Sequence, residues 1–117
     1  MTVYRVRFSP RAWEDATEAG WQRYELTQDP AQGQAFTQKI YVEARERLEA
    51  FPGRQPVQER ESNLFGCPVH RLRIENWHLY YRIEDGEDGP LVTVLFLWNT
   101  SRLPIDNDEA ERIKGTL

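Results

Sequence analysis

Residues 91–98 read L-V-T-V-L-F-L-W, and no other stretch limits the fold of this chain so tightly. A nearly unbroken apolar run of that length fits a strand in the middle of a sheet, paired on both edges and covered on at least one face. Periodicity alone also allows a buried helix, but the Val, Thr, Phe and Trp content favours the strand. The run closes a block from Val69 to Arg102 that holds V-H-R-L-R-I-E-N-W-H-L-Y-Y-R-I, a D-G-E-D-G-P turn and the apolar run itself. This block predicts two hairpin-linked strands feeding a third. Its middle strand alternates, with Trp77, Leu79, Tyr81 and Ile83 on one side and His78, Tyr80, Arg82 and Glu84 on the other.

The chain before the block supplies what such a sheet needs as cover. Val3 to Phe8 is a short alternating strand with Tyr4, Val6 and Phe8 facing one way and Arg5 and Arg7 the other. Ser9-Pro10 is a helix start, with Ser9 as N-cap, Pro10 in the first helical position, and Phe8 and Trp13 spaced as a hydrophobic staple. A helix is expected from Pro10 to about Thr27, its stripe being Trp13, Ala16, Gly20 and Tyr24; Gly20 permits close helix approach. Asp29-Pro30 repeats the device, with Gln32 in the capping-box place. The second helix carries Phe36, Ile40, Ala44, Leu48 and then Phe51 as a stripe that packs on a sheet, and Pro52-Gly53 ends it. Val57 to Glu61 reads as a short charged edge strand. Beyond Arg102, Leu103-Pro104 leaves the sheet, and Asp106 to Lys114 predicts a short acidic helix capped by Asp106 or Asn107 and ended at Gly115.

The order is strand, two helices, then three or four strands. It predicts a single α+β domain over residues 1–117, in which two helices cover one face of a mainly antiparallel sheet and 103–117 forms a short tail or helix. At 39% hydrophobic and 29% charged residues the chain has ample core material and no case for disorder. The one cysteine, Cys67, cannot form an internal disulfide, and with no base nearby it reads as a packing residue. No Cys/His cluster has metal-ligand spacing, so neither a metal nor another cofactor is expected. No run has the length of a membrane span and the start lacks a signal-peptide core, so the expected location is cytoplasmic, with no membrane partner.

A net charge of −4 excludes a uniformly basic nucleic-acid binder, but the charges are segregated. Acidic residues crowd the helices, the turn and the tail. The sheet face opposite the helices is expected to display Arg5, Arg7, Arg71, Arg73, His78, Tyr80 and Arg82, guanidinium groups able to bind phosphate or a target. The alternative is a soluble face on which those arginines pair with Glu59, Glu61, Glu75 or Glu84.

Taken together, Y-R-V-R-F-S-P, an apolar helix ending L-E-A-F-P-G-R, V-H-R-L-R, L-Y-Y-R-I and a final apolar strand ending near Arg102 resemble the RelE/ParE superfamily. These are the bacterial, plasmid-stabilisation-like toxins of type II toxin-antitoxin pairs. The resemblance covers roughly Tyr4 to Arg102. It implies a first strand beside the last and a cognate antitoxin that wraps the toxin. RelE-like members cleave mRNA on the ribosome with arginines and a C-terminal Tyr or His; ParE-like members inhibit DNA gyrase without such a set. By resemblance the RelE-type arginines fall on Arg73, or Arg71 if the register shifts, and on Arg102. No Tyr or His follows Tyr81, and the tail offers only Asp106, Asp108, Glu109 and Glu111 as a base.

The expected function is therefore a ParE-like toxin that binds and inhibits a target such as DNA gyrase. The alternative is a RelE-like endoribonuclease acting on ribosome-bound mRNA, in which Arg73, Arg82 and Arg102 stabilise the phosphate and His78 moves the proton. A third reading is a non-toxic relative that binds a partner protein, and a homodimer stays open. Of the two histidines, His78 shares the arginine face and His70 does not.

Overall fold

The computed structural model describes residues 3–117. Its elements are β1 (Arg5–Phe8), α1 (Pro10–Thr27), α2 (Pro30–Ala50), α3 (Glu59–Phe65), β2 (His70–Ile74), β3 (Trp77–Gly86), β4 (Gly89–Asn99) and α4 (Asn107–Lys114), with one 3₁₀ turn at Pro52–Arg54. The four strands form one mixed sheet in the order β1-β4-β3-β2. β1 runs parallel to β4, and the other two pairings are antiparallel. The chain is α+β as expected, with the first strand beside the last.

β4 is central, and Val92 to Trp98 are all buried. Its poor alternation has two causes. One is cover on both faces. The other is a bulge: Tyr80 pairs with Phe96 but Tyr81 with Val94, so Leu95 has no partner on β3. Leu95 and Phe96 consequently join the same apolar cluster, while Val92, Val94 and Leu97 join the cluster under α1 and α2.

β1 is too short to pair with all of β4, and the start of α1 takes over where it ends. Ser9 caps α1 by accepting from the Ala12 amide at 3.0 Å, and its hydroxyl donates to the carbonyl of the bulged Leu95 at 2.7 Å. Asp15 then accepts from the Leu97 amide at 2.9 Å and from Arg11 Nε at 3.0 Å. Burial raises the Asp15 pKa against the lowering effect of these two donors.

The helices pack through small residues. The buried positions of α1 are Ala12, Ala16, Ala19 and Gly20; Ala16 and Gly20 of the expected stripe are buried, whereas Trp13 and Tyr24 are not. Trp13 stands at the margin, 43% exposed, against Phe8 and Tyr41 with ring centroids 5.1 and 5.0 Å away. The staple thus forms, yet the large aromatics are excluded from the interface because α1 and α2 cross too closely to admit them. A Cβ on Gly20 would lie 2.1 Å from Thr37 Oγ1 and 2.7 Å from the Gly33 carbonyl. On α2, Phe36, Ile40, Ala44 and Leu48 are buried as read, whereas Phe51 lies outside the helix and is exposed.

The segment Val57–Glu61 corrects the expected edge strand. Val57 makes one isolated bridge to His70, and helix α3 starts at Glu59. Glu59 and Glu61 in the first turn suit the positive end of a helix, and Gly66 ends it at φ +72°. α3 brings Leu64 and Phe65 against Phe96, and α4 adds Ile113 and Ala110, with Ile105 just before it. Asp106 caps α4 by accepting from the Glu109 amide. These two short helices form a second core on the face expected to be open.

Two substitutions test this packing. Gly20→Ala gains up to about 1 kcal/mol of helix propensity but overpacks the crossing, for a net loss of about 1–2 kcal/mol in chemical denaturation. Asp15→Ala leaves the buried Leu97 amide unpaired and should cost about 1–3 kcal/mol. Asp15→Asn keeps an acceptor and removes the buried charge. Because the folded pKa lies above the unfolded one, ionisation of Asp15 costs stability as pH rises through the folded value, a dependence both variants lose; the Asn variant keeps an acceptor for the Leu97 amide and should be clearly more stable than the Ala variant at pH 7.

Candidate functional site

On the face away from α1 and α2, three rungs of the sheet carry the polar and aromatic residues of interest. The first runs Arg73, His78, Trp98 across β2, β3 and β4; the second runs Arg71, Tyr80, Phe96. The third, beyond the bulge, runs Arg82, Thr93, Arg7 across β3, β4 and β1, with Arg5 two residues earlier on β1.

The second rung is closed. Tyr80 is 3% exposed and stacks on Phe96 at 4.8 Å, and Phe65 of α3 stacks on Phe96 at 5.0 Å. Burial raises the Tyr80 pKa, with the Arg71 guanidinium beside it partly opposing the shift. Tyr80 is accordingly a neutral, packed phenol rather than an exposed contact. The expected open basic face is divided into two by this apolar plug, because Tyr80, Phe96 and Trp98 need cover and α3 and α4 supply it.

The first rung holds His78, which is half-buried with Arg71 and Arg73 as neighbours. Burial, then the Arg71 and Arg73 charges, lower its pKa below the ordinary 6.5, so the imidazole is neutral at pH 7. It lies edge-on to Tyr80, with ring centroids 6.2 Å apart. Arg73 is exposed, and its Nε donates to the Glu75 carbonyl at 2.8 Å. Arg102 is exposed past the end of β4; its guanidinium lies 3.6 Å from the Trp98 ring centroid and 2.9 Å from Glu109 of α4. Trp98 is the Cα partner of His78, so Arg73, His78, Trp98 and Arg102 follow one line across the sheet.

Arg82 belongs to the third rung, with Arg7 and Arg5, and not with His78. His70 is on the other side, stacked on Tyr81 at 5.3 Å, with Nδ1 2.6 Å from the Gln55 carbonyl. The expected opposite facing of the two histidines therefore holds. Two residues outside the predicted set, Trp98 and Thr93, also contribute. Trp98 was read only as strand, although it carries the cation on this face. Thr93 bridges the third rung, and its signal is legible: it is the sole hydroxyl in the apolar run. Glu61, expected as a surface partner of the arginines, is instead nearly buried, 3.6 Å from Arg60 and near His78 and Tyr80.

Among the described residues no group of three or more His, Cys, Asp or Glu side chains is placed to hold a metal ion, and no helix is long and apolar enough to cross a membrane. No family model and no curated protein matches this chain.

The His78 environment is measurable. Its imidazole proton resonances should titrate with a midpoint below 6.5, and Arg71→Gln or Arg73→Gln should each move that midpoint upward. Since the unfolded chain takes up this proton first, His78 should lower stability as pH falls through 6.5.

Proposed function

We propose that this chain is a ParE-like toxin of a type II toxin-antitoxin module, acting by binding and inhibiting a cellular target such as DNA gyrase and neutralised by a cognate antitoxin. The reading rests on the RelE/ParE resemblance. Its choice of the binding branch rests on the state of the candidate catalytic set. Arg102 is held by Glu109 and Trp98, Arg82 lies 3.1 Å from Glu84 on a separate rung, and His78 has no hydrogen-bond partner among the described residues to orient it. General acid-base catalysis needs a positioned base within reach of the same phosphate as its electrostatic partners. With Arg82 on a separate rung, Arg102 engaged by Glu109 and Trp98, and His78 unoriented, the set suits recognition of a target better than cleavage.

A second reading, a RelE-like endoribonuclease, is favoured by one observation. A neutral imidazole flanked by Arg71 and Arg73 is in the protonation state of a general base next to two phosphate-binding groups.

Induced expression of the chain alone separates the two. Growth arrest with trapped gyrase-DNA complexes is expected, without codon-phased cuts in translated mRNA. Prompt phased cuts would replace the binding reading with the nuclease reading, and cleavage should then disappear in an Arg73→Ala, Arg102→Ala double variant that still folds. Normal growth would overturn both.

A further inference from the structure

The third rung carries a Thr93-Glu84 bridge that neither the apolar plug nor the toxin reading uses. Thr93 is 1% exposed between Arg7 and Arg82. Its hydroxyl accepts from Arg7 Nε at 3.2 Å and donates to Glu84 Oε1 at 2.9 Å. The other Glu84 oxygen lies 3.1 Å from Arg82 Nε, a nitrogen shielded from solvent whose contact lacks hydrogen-bond alignment. The Thr-Glu bridge thus holds Arg7 through a hydrogen bond and Arg82 through an ion-pair contact. Their terminal amino groups make no hydrogen bond to any described residue. Arg5, two residues before Arg7 on the same face, has only a 3.9 Å contact with the exposed Asp88.

This arrangement is pre-organised. Neighbouring strands lie about 4.8 Å apart, so the Arg7 and Arg82 backbones are separated by roughly 10 Å, a span two arginine side chains close onto one small anion. Three guanidinium groups meet only two carboxylates in direct contact, Glu84 and Asp88. A phosphate monoester offers three free oxygens to three guanidinium groups, where a carboxylate offers two and Glu84 already occupies the bridging place.

We propose that Arg5, Arg7 and Arg82, held by the Thr93-Glu84 bridge, form a binding site for a phosphate monoester. The site is separate from the His78 row and does not depend on the toxin reading. Its ligand is either a free nucleotide or the 5′-phosphorylated end of a nucleic-acid strand, since both present the same group.

The test is an NMR titration of the full chain, following the arginine Nε-Hε signals, with three probes: AMP, a short 5′-phosphorylated oligothymidylate and the same strand with a 5′-hydroxyl. Saturable shifts at Arg7 and Arg82 are expected with the first two. Arg7→Lys and Arg82→Lys keep the charge but lose the fork, and each should weaken binding about tenfold. Arg45→Gln, which removes a whole positive charge on the far helix α2, should change it less than about twofold. Arg5 makes no bridge contact, so Arg5→Lys is a second variant with the fold untouched, and it should weaken binding severalfold. AMP binding as tight as the phosphorylated strand assigns a small phosphate ester; a strand preference of tenfold or more assigns a strand end. Equal affinity for the 5′-hydroxyl strand, or equal losses in Arg45→Gln and the rung variants, would overturn the site.

Discussion

β4 has a backbone that must be hydrogen-bonded on both edges and side chains that must be covered on both faces, and the other elements are arranged around those two demands. β3 satisfies one edge along its length. β1 satisfies only the first part of the other, as far as Phe8 opposite Val94. Past that point the backbone of β4 would face an apolar helix layer with unpaired groups, at a cost far above that of a surface defect. Ser9 and Asp15 remove that cost by reaching from α1 to the Leu95 carbonyl and the Leu97 amide. The same contacts fix where α1 starts and how it lies on the sheet, so the cap, the bulge and the helix position form one solution.

Cover on the faces is asymmetric. α1 and α2 lie close through Ala12, Ala16, Ala19, Gly20 and Gly33, which pushes Trp13 to the margin. On the opposite face, α3 and α4 cover only the part where Tyr80 of β3 meets Leu95, Phe96 and Trp98 of β4. The electrostatic consequence is a division of the guanidinium groups. One set surrounds a neutral His78, and the other surrounds Thr93 and Glu84. A continuous basic face would attract any polyanion, whereas two small clusters separated by stacked aromatics favour defined contacts.

Legibility follows from the range of the interactions. Ser9-Pro10, Asp29-Pro30 and Asp106 marked helix starts because capping is decided within three residues. Phe36, Ile40, Ala44 and Leu48 revealed a buried face because helical spacing is local too. Val57–Glu61 misled because alternating charge over five residues has no edge or end until Gly66 is placed at φ +72° and Phe65 finds Phe96. The site followed the same rule. Arg71, Arg73, His78 and Tyr80 share a face as their alternation implies, but alternation could not say that Tyr80 is stacked under α3 or that Arg82 lies past a bulge among different neighbours.

By itself the sequence determined the α+β class, the starts of α1, α2 and α4 and the apolar side of β1 and β3, since these arise from backbone preference and periodicity within a few residues. It also determined the absence of Tyr and His after Tyr81, which bears on the chemistry. Only the tertiary structure decided that the polar face is half covered, that the tail helix packs on Trp98 and Phe96, and that Thr93, 86 positions from Arg7 along the chain, ties it to Glu84. Those outcomes depend on which distant surfaces exclude water together, and no local pattern carries that information.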